Sequence, residues 1–256
     1  TAPAGLGKAG RRRHDRRPGI AGEQATIMAR QLYELCGTDP ARVFSPFCWR
    51  SRMALAHKGL AFESVPWRFT ETDRLAFAGH DKVPVLVDGT RVVTESWTIA
   101  QYLDEAYPQA PSLLHGRPAP YRFVAAWNDT VLQPGIARLV VSDIPPLLGP
   151  KARAYFIESR ERRFGMALAA VTEGREARLP AFRAALQPVR GALAEQPFLG
   201  GEEPDYADYT IFGSFMWARS VSPLVLLEPE DPVHAWRERM LDLHGALARA
   251  APHFGA

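Results

Sequence analysis

Ser45-Pro46-Phe47-Cys48 has the spacing of a redox C-x-x-C site with an oxygen where the first sulfur would stand. Dithiol exchange needs both sulfurs, so the tetrapeptide lacks half of that chemistry. It keeps a hydroxyl followed by a proline, and proline suits the first position of a helix, where its missing N–H is no loss. Ser45 therefore reads as a plain N-cap or as a hydroxyl donor to a reacting atom, helped by the positive end of the helix. Cys48 has no sulfur partner at position 45 and reads, like Cys36, as a small core side chain. In Lys82-Val83-Pro84 a cis proline would turn the backbone of Val83 outward and offer its N–H and C=O to an extended, peptide-like ligand. The alternative is an ordinary trans proline opening a strand. Glu95-Ser96 is either a helix cap or an anion-binding corner. In the second case Ser96 and the helix N-terminus take a carboxylate and Glu95 takes an ammonium.

These residues need elements to hold them. Gln31 to Cys36 reads as a short strand, and residues 37–46 as a turn-rich loop. From Pro46 the apolar residues Met53, Leu55 and Ala56 recur at helical spacing, with Gly59 as the stop. Residues 61–67 form a second strand. Val85 to Val93, around the Asp88-Gly89 turn, form a hairpin. Residues 96–107 form a helix ended by Pro108. The order is β-α-β then β-β-α, with a proline just before the third strand, and that order is thioredoxin-like. After the Pro-rich stretch at 107–120 strand signals stop and only helical patterns follow. The expected fold is thus α/β plus all-α: a disordered extension at 1–27, a thioredoxin-like domain at 28–110 and an all-helical domain at 111–256.

Composition narrows the function classes. Only two cysteines occur in 256 residues, which excludes a disulfide framework and points to a reducing compartment. Cys and His lack the spacing of a metal site. No apolar run reaches the roughly 18 residues of a membrane span. The net charge of +3 is concentrated at the start: residues 1–27 hold six basic and two acidic side chains, which leaves the other 229 residues at −1. That distribution argues against nucleic acid as a partner of the body. It also fits a native start at Met28, with residues 1–27 as upstream sequence.

"SPFCWRSRMALAHKGL", "KVPVLVDG", "ESWTIAQYLDEAYP" and "DYADYTIFGSF" together resemble a cytosolic glutathione transferase over about residues 30–250. The resemblance implies glutathione as co-substrate, no metal, a cytoplasmic location and a homodimer. It makes Ser45 the catalytic residue, stabilising the glutathione thiolate. It assigns Phe47, Lys82, Val83, Pro84, Glu95 and Ser96 to glutathione. It reads Asp205 and Asp208 as a capping box, a folding element without chemistry. Several stretches, among them "WTIAQYLDEAYP" and "EDPVHAWRERMLDL", further resemble bacterial glutathione-dependent β-aryl-ether-cleaving enzymes of lignin breakdown and related fungal transferases. That likeness implies a hydrophobic aromatic substrate. Trp49, Tyr121, Trp127 and Trp217, with Phe47, could line a flat apolar slot for it, although each alone also suits a core. The competing readings are an omega-like glutathione-dependent reductase or lyase, which would need sulfur at position 45, and a non-catalytic ligand-binding module.

Overall fold

A computed structural model describes Thr1 and residues 30–254. Apart from Thr1, the expected extension at 1–27 lies outside the described residues, as does Met28. The first unit is a four-stranded sheet in the order β2-β1-β3-β4, from β1 (Gln31–Leu35), β2 (Glu63–Trp67), β3 (Val85–Asp88) and β4 (Arg91–Thr94). β1 and β2 run parallel, and the other neighbours are antiparallel. Pro66 is tolerated because β2 is an edge strand. The helices of this unit are α1 (Pro46–His57) and α2 (Ser96–Ala106). A 3-10 segment at Thr72–Ala78 lies between β2 and β3. This is a thioredoxin-like sheet, and every element after α2 is helical.

The helical unit comprises α3 (Pro118–Trp127), α4 (Gln133–Val140), α5 (Pro150–Phe164), α6 (Leu168–Val171), α7 (Leu179–Ala184), α8 (Gln187–Leu193), α9 (Tyr206–Val221) and α10 (Pro232–Ala246). A π-helical turn at Asn128–Leu132 joins α3 to α4.

Two helices are buried on more than one side, which locates the core. In α1, Cys48, Trp49, Arg50, Ser51, Met53, Ala54 and Leu55 are all buried, because the helix lies between the sheet and α9. In α9 all residues but Trp217 and Arg219 are buried, the pattern of a helix surrounded by protein. Gly213 permits the close approach of the two: a Cβ at that position would lie 2.5 Å from the Pro46 carbonyl oxygen.

α9 starts at a capping box. Asp205 accepts from the Ala207 N–H at 2.8 Å. Asp208, fully buried, accepts from the N–H groups of Leu199, Gly200 and Asp205 and from the Trp236 indole, at 2.8, 2.9, 3.1 and 2.8 Å. Burial pushes the Asp208 carboxyl up to about 6, against the four donors, which favour the charged form. Removing that acceptor leaves four donors unsatisfied, of which the Asp205 N–H and the Trp236 indole are buried. Asp208→Ala is expected to lower the free energy of unfolding by about 3–5 kcal/mol, read as a drop in the urea midpoint. A shift below about 1 kcal/mol, the size of an ordinary exposed cap, would show that Asp208 is not the hub described.

Candidate active site

The N-terminus of α1 is built by the first loop. Ser45 is extended (φ −70°, ψ 128°), and its Oγ accepts from the Cys48 N–H at 3.3 Å, so it caps the helix. Pro46 fills the first helical position. The Val83–Pro84 peptide bond is cis, and Pro84 is buried immediately before β3. Glu95 caps α2 by backbone geometry and has φ +67°, a left-handed conformation uncommon outside glycine. Ser96 is therefore the first helical residue rather than the cap. The Glu95 side chain is exposed and meets His80 Nε2 at 3.1 Å. The Tyr206 hydroxyl donates to the Ser96 carbonyl at 2.8 Å, tying α9 to the start of α2.

A cleft of about 330 Å³ opens between the sheet's loops and the helical unit. Ser45, Phe47, Lys82 and Val83 line it from one side and Trp217 from α9. Pro84, Glu95 and Ser96 stand behind or beside these residues and are outside its lining. Three aromatic residues expected in the slot are elsewhere. Trp49 is fully buried, its indole donating to the Val43 carbonyl at 3.0 Å, because α1 turns that face into the core. Tyr121 donates to Asp205 at 2.7 Å and so belongs to the α9 cap. Trp127 lines a separate cavity with Phe182 and Leu139.

The opposite wall is one that sequence reasoning did not find. Phe69, from the loop after β2, and Tyr155, Phe156, Arg160, Arg163 and Phe164, from α5, all face the cleft. Phe69 lies with its ring centroid 5.5 Å from Phe156 and 6.1 Å from Tyr155, within the range of favourable aromatic pairs. On the sequence α5 reads only as one of the helical patterns after the Pro-rich stretch. The only signal within it was the pair Phe156 and Phe164, two turns apart on one face.

Neither thiol reaches the cleft: Cys36 and Cys48 are free and fully buried. Burial, and then the charge of Glu34, push Cys48 up to about 12, while Ser45 acts in the other direction. Burial also raises Cys36. Among the described residues no three His, Cys, Asp or Glu side chains gather to hold a metal ion, and no helix is long and apolar enough to cross a membrane.

Sheet, cis-proline and helical wall define a class: a thioredoxin-like unit whose α1 N-terminus faces a cleft completed by an all-helical unit. Residues 44–106 match the family described as "Glutathione S-transferase, N-terminal domain", and residues 121–225 match "Glutathione S-transferase, C-terminal domain". The probable glutathione S-transferase GSTU6 of Oryza sativa subsp. japonica is 30% identical over 214 residues, covering 76% of this chain and 80% of the rice protein. Glutathione S-transferase U28 of Arabidopsis thaliana is 25% identical over 213 residues, covering 80% and 84%. Among solved structures, glutathione S-transferase CsGST83044 of Ceriporiopsis subvermispora, in complex with glutathione, gives a TM-score of 0.72 at 21% identity over 85% of this chain and 98% of that one, a likeness of fold. Glutathione transferase GSTFuA2 from Phanerochaete chrysosporium gives 0.65 at 26% identity over 85% and 93%. The chain belongs to the glutathione S-transferase family.

The burial of both cysteines has a direct readout. Under native conditions at neutral pH, neither is expected to react with a thiol-labelling reagent within minutes, and both should label once urea unfolds the chain. Fast native labelling of Cys48, seen by peptide mass, would contradict its burial.

Proposed function

We propose that the chain binds glutathione along Val83, Lys82, Glu95 and Ser96, activates its thiol at Ser45, and delivers the thiolate to an aromatic electrophile in the cleft. The observation that carries this reading is the bonding of Ser45. A hydroxyl has one proton and two lone pairs. Capping α1 uses a lone pair, to accept from Cys48 N–H, and leaves the proton available to a sulfur in the cleft. The neighbouring Cys48 stays a thiol, being pushed up to about 12, and a thiol is a weak acceptor for that proton. A free thiol titrates near 8.5, and lowering it by one unit takes only about 1.4 kcal/mol, within reach of one charge-assisted hydrogen bond at a helix N-terminus.

The reaction we infer is displacement at the carbon β to an aryl ketone. The sulfur lone pair forms the C–S bond and the C–O bond to the aryl ether breaks. The phenolate leaves with the electron pair and takes a proton from water, giving a thioether and a free phenol. The apolar, aromatic-walled cleft suits such a flat substrate, and the motif resemblance to β-aryl-ether-cleaving enzymes favours it. An oxygen at position 45 disfavours a thiol-reductase reading. The presence of Ser45, Val83-Pro84 and Glu95-Ser96 together disfavours a non-catalytic carrier.

Ser45→Ala should leave glutathione affinity nearly intact, raise the pKa of the bound thiol and lower turnover at neutral pH by one to two orders of magnitude, about 1.4–2.7 kcal/mol of barrier. Higher pH should restore part of the loss. Thiolate absorbance against pH, beside product formation from a β-aryl ether ketone, reads both. Identical titration curves would remove Ser45 and leave the backbone N–H groups of Phe47 and Cys48 as activators, since Pro46 has no N–H and Ser45→Ala frees that of Cys48.

We further infer a cytoplasmic homodimer that pairs the first unit of one copy with the helices of the other. Its apolar candidates are Phe77 on the first unit and Phe123 on α3, 52% and 74% exposed. Light scattering in dilute solution should give twice the chain mass, and a single-chain mass would overturn this assembly.

A further inference from the structure

The charge that α5 brings to the cleft wall has no carboxylate partner among the described residues. Four charged side chains line the cleft, of which Asp81 alone is acidic; Lys82, Arg160 and Arg163 are basic. Asp81 and Lys82 are adjacent on the segment before β3 and offset each other. Arg160 lies half-buried with its guanidinium carbon 4.7 Å from the Phe156 ring centroid and 5.7 Å from that of Phe69. Among the described residues its one side-chain hydrogen bond goes to Ser159 Oγ at 3.0 Å. No carboxylate among the described residues pairs with Arg160 or Arg163, whereas Arg162, on the outer face of the same helix, pairs with Glu158 at 2.6 Å. Burial, and then the charge of Arg163, lower the Arg160 pKa, which is the direction expected of a cation that lacks a counter-charge. A guanidinium held over two aromatic rings, with most of its N–H fork unused, is preorganised for a planar anion.

We propose that Arg160, seconded by Arg163, receives the carboxylate of the electrophile, so that the preferred substrates are aromatic acids rather than neutral aromatics. The ring lies against Phe69, Phe156 and Trp217, and the carboxylate accepts from the Arg160 fork. This rests on reading the cleft as the electrophile's site, and the test is a binding measurement that needs no turnover. Loss of thioether formation would therefore sink the proposed reaction without touching this assignment.

The probes are naphthoate and its methyl ester, titrated by tryptophan fluorescence into the full chain saturated with S-methylglutathione. The wild type should bind naphthoate about tenfold more tightly than the ester, as one charge-assisted pair in a partly buried site provides. Arg160→Gln should bring the two affinities within about twofold while S-methylglutathione binds as before. Equal affinities in the wild type would overturn the proposal by themselves, whether or not the variant folds. A variant that keeps the naphthoate preference but loses S-methylglutathione would also overturn it, by assigning Arg160 to glutathione instead.

Discussion

Much of this molecule depends on how closely α9 can approach α1. The contact is possible because position 213 has no side chain: a Cβ would meet the Pro46 carbonyl oxygen at 2.5 Å. Pro46 is the residue after the candidate catalytic serine, so the backbone that aims Ser45 at the cleft is the backbone that rests on α9. The same helix donates the Tyr206 hydroxyl to the Ser96 carbonyl and contributes Trp217 to the cleft. One buried helix thus sets the distance between the serine, the start of α2 and part of the cleft wall. It can do so because its own first turn is fixed by Asp205 and Asp208, whose carboxylates gather backbone N–H groups and an indole from three segments.

What was legible in the sequence was local. Ser45-Pro46 is a helix start because a hydroxyl cap and a proline are each favoured there, whatever lies around them. The same holds for the Asp205–Asp208 box and the Asp88-Gly89 hairpin turn. Val83-Pro84 became readable from its place between a helix and a hairpin, a relation that still spans only one unit. The placing of large aromatics was not local. Trp49, Tyr121 and Trp127 sit on helices at spacings equally consistent with a pocket or a core. Which face turns inward depends on helices far along the chain: Trp49 is enclosed in a core that includes α9, and Tyr121 is claimed by Asp205, 84 residues away.

The α5 wall escaped for a related reason. A run such as Glu158-Ser159-Arg160-Glu161-Arg162-Arg163 reads as a solvated face, and for Arg162 it is one. Only the fold shows that Arg160, two residues away, turns across Phe156 and Phe69 into an apolar cleft. Buried Glu34, which pairs with Arg52 and accepts from Ser64 at 2.6 Å, is the same kind of case: a charge in the middle of a strand whose partners come from the next two elements.

The attachment of α5 differs from that of α1. α1 is held between the sheet and α9, whereas α5 packs principally against α6 and the turn at 145–147. The two walls of the cleft are therefore mechanically unequal. The side carrying Ser45 is anchored in the common core, and replacing residues there disturbs both units at once. The side carrying Arg160 hangs from short, peripheral elements, where substitutions cost little folding stability. In evolutionary terms the chain separates a part that has to be inherited intact from a part that is free to drift. The shape and charge of the cleft can be altered through α5 while the wall that carries Ser45 stays as it is.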